Sequence, residues 1–134
     1  MATDGEPVTV LAVDDQPIFL RTASSLIAAT PGFEQVGQAT SGPEALALAA
    51  DLQPDLILVD VRMPGMDGLE TARRLASVDG DPLVVLISVE DLPEPHSSAA
   101  PAGVDAYIRK QDLSTRKLRE VWSTHRGAAR GAPR

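Results

Sequence analysis

At 134 residues with 43% apolar side chains, the chain is long enough for one domain with a substantial core and too apolar for wholesale disorder. It has no cysteine, which excludes disulfides and thiolate metal sites, and only 3% aromatics, so Leu, Val, Ile and Ala must fill the interior. The net charge of −7 is divided: residues 1–108 carry 17 acids and 4 bases, whereas residues 109–134 carry 2 acids and 8 bases, a balance that argues against nucleic-acid binding by the main body. Residues 1–7 lack a basic stretch followed by an apolar one, and no apolar run reaches the ~20 residues that span a bilayer. A cytoplasmic protein without membrane contact is expected.

Val8 to Val13 reads as a first strand, ending in Asp14-Asp15. Gln16-Pro17 opens a helix in which Ile18, Phe19, Thr22, Leu26 and Ile27 have roughly helical spacing, and Pro31-Gly32 ends it. Phe33 to Ala39 is a second strand, with Val36 as its expected buried member. Ser41-Gly42-Pro43-Glu44 reads as a capping box before Ala45, Leu46, Leu48, Ala49 and Leu52, and Pro54 closes that helix. Leu56 to Val59 is continuously apolar, the pattern of a parallel strand buried on both faces, and it ends in Asp60. Pro64, Gly65 and Gly68 force a turn. Asp67 can cap a third helix to about Ser77, with Glu70 completing the box and Leu69, Ala72 and Leu75 or Ala76 buried.

Leu83 to Ile87 is a fourth apolar strand, ending at Ser88. A helix is due between it and the short strand Ala106-Tyr107-Ile108, but Pro93, Pro95 and Pro101 interrupt it. Proline in a helix interior costs ~3 kcal/mol, so this fourth helix is expected to be irregular or shortened. A last helix, Ser114 to His125, carries Leu118, Val121 and Trp122. Residues 1–7 are expected to be flexible, 8–126 to form one domain, and 127–134 to be a flexible tail or the start of a linker.

Strands alternating with helices imply an α/β fold, a five-stranded parallel sheet with helices on both faces. The flavodoxin-like doubly wound order 2-1-3-4-5 fits best. Right-handed crossovers then open every strand C-terminus onto one edge. Asp14, Asp15, Asp60, Ser88 and Lys110 all fall there. Three carboxylates in one crevice raise one another's pKa, and a hard cation such as Mg²⁺ relieves the repulsion. A lysine ammonium and a serine hydroxyl beside them supply donors to phosphoryl oxygens, and one carboxylate can act as nucleophile. Taken singly, each residue has a plainer use: helix cap, strand-end hydroxyl, solvated charge.

Taken together, these residues resemble the receiver domain of a two-component response regulator over residues 8–125. The matching pieces are Val13-Asp14-Asp15, the run Asp60-Val61-Arg62-Met63-Pro64-Gly65-Met66-Asp67-Gly68, Ser88, and Tyr107-Ile108-Arg109-Lys110. The wording is most similar to receivers that precede a helix-turn-helix output domain.

The resemblance implies a phosphorylation-controlled signalling switch, a phosphoprotein rather than a metabolic enzyme. Asp60 would accept a phosphoryl group from the phosphohistidine of a sensor histidine kinase or phosphotransfer protein. Asp15, Asp60 and the Arg62 carbonyl would hold Mg²⁺, with Asp14 acting through water. Lys110 and Ser88 would contact the phosphoryl group, Ser88 and Tyr107 would form the switch, and Arg62 and Glu90 would tune it. A homodimer is compatible with the resemblance. Family members often have proline after the lysine; here Gln111 follows, and a trans peptide or a slightly altered loop is expected. Alternatives are a receiver signalling through phosphorylation-independent contacts, and a Mg²⁺-dependent phosphohydrolase. Known phosphohydrolases of that kind carry Asp-x-Asp after the first strand, whereas Val61-Arg62 follows Asp60. A flavodoxin-like cofactor binder would want a glycine- and hydroxyl-rich first loop, where this chain has two acids.

Overall fold

The computed structural model describes residues 6–89 and 103–127. The expectations for Glu90 and for the interrupted fourth helix fall outside these residues, as do most of those for the two chain ends. Five strands, β1 (Val8–Val13), β2 (Phe33–Ala39), β3 (Leu56–Asp60), β4 (Leu83–Ser88) and β5 (Ala106–Arg109), form one sheet in the order β2-β1-β3-β4-β5. All four pairings are parallel. The described helices are α1 (Pro17–Ala29), α2 (Gly42–Leu52), α3 (Gly68–Leu75) and α4 (Thr115–Trp122), the last running on into a wider turn at Ser123–Gly127.

The two-residue period of a strand divides the core. On one face Leu11, Val13, Ile57, Val59, Val84 and Leu86 pack with Ala45 and Ala49 of α2 and Ala72 and Leu75 of α3. On the other, Val10, Leu56, Leu58, Val85, Ile87 and Ile108 pack with Ile27 of α1 and Leu118 and Val121 of α4. Every residue of β3 and β4 is buried, as the unbroken apolar runs require.

Some local expectations are corrected. Helix α1 buries Leu20, Ala23 and Ile27, while Ile18 is 68% exposed and Thr22 is also outside. The true stripe is centred on the small Ala23, which a search for large apolar residues passes over. Val36 is only half-buried, and Ala39 is the buried residue of β2. The cause is an irregularity: Val10 pairs with Gln35 but Leu11 with Gly37, so the register skips Val36 on this edge strand.

The capping boxes are also modified. The Ser41 hydroxyl accepts the Glu44 amide at 3.3 Å, but Glu44 reaches back to the Thr40 amide at 2.8 Å, one residue earlier than a capping box requires. Asp67 caps α3 by accepting the Glu70 amide at 2.9 Å, while the Glu70 carboxylate turns outward to Arg73 and Arg74. Those two guanidinium groups hold its pKa below the usual glutamate value.

Candidate acidic phosphoacceptor site

Strand parity decides which side chains meet at the open edge. Asp14 follows Val10 and Ala12, Asp60 follows Leu56 and Leu58, and Lys110 follows Ala106 and Ile108. All three continue rows that face α1 and α4. Ser88 and Tyr107 have the opposite parity. Ser88 follows Val84 and Leu86, and Tyr107 pairs with Leu86 and packs against the α2–α3 face. The edge therefore carries a charged group on one side of the sheet and a hydroxyl pair on the other.

The charged group is tight. Lys110 Nζ lies 3.1 Å from Asp60 Oδ1 and 3.4 Å from Asp14 Oδ2. Carboxylate oxygens of Asp14, Asp15 and Asp60 all lie within 4.8 Å of one another. Asp14 is fully buried and Asp60 is 6% exposed. Burial raises the pKa of Asp14, against the lowering effects of the Gln16 amide and Lys110. Burial likewise raises Asp60, opposed by its hydrogen bond to Lys110 and reinforced by the charge of Asp14. For Lys110, burial pulls the pKa down, but the bonds to Asp60 and Asp14 outweigh it and the ammonium titrates above the ordinary lysine value.

Two features show that one ammonium does not satisfy this cluster. Asp14 Oδ1 accepts the Gln16 amide at 2.9 Å, whereas the buried Oδ2 has among the described residues only the long 3.4 Å ion pair to Lys110. Three carboxylates face a single cation. An all-oxygen donor set with more carboxylate charge than one ammonium balances suits a hard divalent ion, and Mg²⁺ fits the residues present.

The loop after Asp60 is fixed from both ends. The Val61 amide donates to the Ile87 carbonyl at 3.0 Å, extending the β3–β4 ladder one residue further. The Gly68 amide donates to the Val61 carbonyl at 2.8 Å, closing the loop. A Cβ on Gly68 would stand 2.7 Å from Val61 Cα and 2.9 Å from the Asp60 carbonyl carbon, so α3 starts hard against the backbone of Asp60. Gly65 supplies φ +74 at the crest. Met63 is buried, and the exposed Arg62 lines an open cleft with Val61, Met63, Pro64 and Asp67.

Ser88 is 5% exposed. The hydroxyl of half-buried Tyr107 is enclosed without a hydrogen-bond partner among the described residues, and burial raises its pKa. The peptide after Lys110 is trans and enters a single 3₁₀ turn, Lys110–Asp112.

The structure thus brings Asp14, Asp15, Asp60 and Lys110 together, with Ser88 and Tyr107 on the other parity. Two contributors were not visible as site residues in the sequence. Phe19 places its ring centroid 4.4 Å from Lys110 Nζ, and Gly68 buttresses Asp60. The only sequence signal for Phe19 was its position in the first helical turn after the acidic pair.

Residues 10–122 match the family model for the response regulator receiver domain, and the chain belongs to that family. It is 37% identical over 124 residues to the nitrate/nitrite response regulator protein NarL of Escherichia coli K12, covering 92% of this chain and 56% of that protein. It is 30% identical over 127 residues to the transcriptional regulatory protein LiaR of Bacillus subtilis, covering 95% and 58%. Among solved structures it resembles the signal receiver domain of a response regulator NarL from Mycobacterium tuberculosis, with TM-score 0.75 and 31% identity over 95% of this chain and 99% of that one. The chain spans a little over half the length of these two curated relatives. Among the described residues, no helix is long and apolar enough to cross a membrane.

Proposed function

We propose that this receiver is switched by phosphorylation of Asp60. The observation that carries the proposal is the Lys110 ammonium bridging buried Asp60 and Asp14, with Asp14 Oδ2 held among the described residues only by that long 3.4 Å ion pair. In the proposed reaction an Asp60 carboxylate oxygen attacks the phosphorus of a phosphohistidine on a sensor kinase or phosphotransfer protein. A P–O bond forms, the P–N bond breaks, and its electron pair leaves with the imidazole nitrogen. Asp15, Asp60 and the Arg62 carbonyl, with Asp14 acting through water, would hold Mg²⁺, which when bound would supply positive charge to the phosphoryl oxygens. Lys110 exchanges its bond to Asp60 for one to the phosphoryl group, and the Ser88 hydroxyl donates from the other side.

A phosphoryl group adds charge where the sheet edge is already acidic, and this biases a two-state element. Ser88 and Tyr107 form that element in our proposal. Tyr107 stands one step down the same face as Ser88, with an enclosed hydroxyl that has no partner among the described residues. Arg62 at the site's mouth and Glu90 set the lifetime of the aspartyl phosphate. The output is a change in partner binding, through a homodimer or a separate output domain of a longer protein. Incubation with a small phosphodonor and Mg²⁺ tests the chemistry. The wild type gains one phosphoryl group and Asp60→Asn gains none.

A further inference from the structure

The Lys110 ammonium has three N–H donors and three partners among the described residues. Two are Asp60 Oδ1 at 3.1 Å and Asp14 Oδ2 at 3.4 Å; the third is the face of Phe19, with the ring centroid at 4.4 Å. We infer that Phe19 is a positioning residue for the phosphoryl chemistry, its ring anchoring the Lys110 ammonium at the acidic edge by a cation–π contact. This rests on the phosphoacceptor role proposed for Asp60.

The placement of the ring follows from the chain. Asp14 Oδ1 holds the Gln16 amide, Pro17 starts α1, and the Phe19 amide donates to the Gln16 carbonyl at 3.1 Å. The turn that fixes one oxygen of Asp14 therefore also fixes Phe19. The ring is half-buried, packed against Ala12, Leu20 and Ala23 on one side and against the α1–α4 core on the other. The Lys110 side chain is only 22% exposed, so the contact is partly withdrawn from water, where such pairs are strongest.

The ring differs from the two carboxylates in what competes for it. Asp60 and Asp14 are the groups that a divalent cation and a phosphoryl group engage, so the bonds of Lys110 to them are exchanged when the site works. An aromatic face repels an anion and cannot displace carboxylate or water oxygens from a hard metal. It keeps the long, four-carbon side chain aimed at the edge while its other partners change, which lowers the ordering cost of each new bond.

The test uses Phe19→Leu, which keeps an apolar side chain but removes the π face, and Phe19→Tyr, which keeps the face. The first readout is NMR of the Lys110 ε-methylene in the metal-free protein. In the wild type and Phe19→Tyr it is shifted upfield by the ring current, and in Phe19→Leu it returns to the position of a solvated lysine. The second is the rate of phosphorylation by a small phosphodonor with Mg²⁺, with folding checked by thermal melting. Phe19→Leu is expected to be about fivefold slower and Phe19→Tyr to lie within a factor of about two of the wild type. A Lys110 signal unmoved by Phe19→Leu overturns the anchoring, whatever the chemistry does. A lost shift with an unchanged rate overturns the positioning role. A wild type that takes up no phosphoryl group overturns the role of Asp60 itself, and is told apart because the upfield shift remains.

Discussion

Gly68 begins α3 with an ordinary helical backbone, so what it must be is set by space alone. A Cβ there would lie 2.7 Å from Val61 Cα and 2.9 Å from the Asp60 carbonyl carbon, and closer still to the Asp60 carbonyl oxygen. Ordinary contact begins near 3.4 Å, so Gly68→Ala must move the start of α3 from the end of β3 by more than about 0.7 Å. Both obstacles are backbone, which cannot rotate away. Overpacking costs ~1–3 kcal/mol, and a rigid obstacle puts this site near the upper end, at ~3 kcal/mol. Elsewhere in a helix the same change gains ~0.5–1 kcal/mol, so the sign is diagnostic. For a domain of this size ~1 kcal/mol moves Tm by ~4 °C, giving a loss of about 12 °C. Gly65→Ala is the control. Its φ is +74 and a Cβ there would meet nothing within 4 Å, so only backbone strain of ~1 kcal/mol and a loss of about 4 °C follow. Thermal melts of the three proteins decide the matter. A Gly68→Ala protein that melts no lower than Gly65→Ala would show that α3 does not bear on Asp60 as described.

Three further outcomes follow from the site. Asp15→Asn removes one of three clustered carboxylates, so its metal-free Tm equals or exceeds that of the wild type, and millimolar Mg²⁺ raises Tm in the wild type more than in the variant; a clearly lower metal-free Tm would make Asp15 structural. Tyr107→Phe deletes an enclosed hydroxyl with no partner among the described residues, so stability is unchanged or rises by up to ~1 kcal/mol. Burial raises the Tyr107 pKa above 10.0, so the folded protein holds that proton more tightly than the unfolded one and Tyr107 opposes folding as pH climbs past about 10. Tyr107→Phe therefore loses stability less steeply than the wild type in alkaline melts, and equal slopes would contradict the burial of the phenol. Arg62→Ala leaves phosphorylation intact but alters the decay of the phosphoryl group, and superimposable decay curves would exclude a tuning role for Arg62.

The architecture was legible because its strongest signals were long. The short apolar runs of β3 and β4, rich in Val and Ile and bounded by turn residues, read as strands covered on both faces, and each ends in a polar side chain at the same sheet edge. Once the strand order was set, Asp14, Asp60 and Lys110 converged without further assumption. What was not legible depended on packing between elements distant in sequence. The stripe of α1 is centred on Ala23, whose weight comes from its fit under Leu20 and Ala12 rather than its size. Val36 lost its place because β2 skips a residue against β1, and no local pattern announces that irregularity. Glu70 had the spacing of a capping-box residue, but two arginines one turn on compete for its carboxylate. Phe19 read as one more apolar helical residue; its bearing on Lys110 appears only when the Lys110 side chain, just after β5, reaches the first turn of α1.

Intact-mass spectrometry after incubation with a small phosphodonor and Mg²⁺ tests the central claim most directly. The wild type should gain the mass of one phosphoryl group, slowly lost on standing, with no gain in Asp60→Asn and none when Mg²⁺ is removed by a chelator. A folded wild-type protein whose mass does not change, or an Asp60→Asn protein that gains the same mass, would contradict the assignment of Asp60 as the phosphoacceptor.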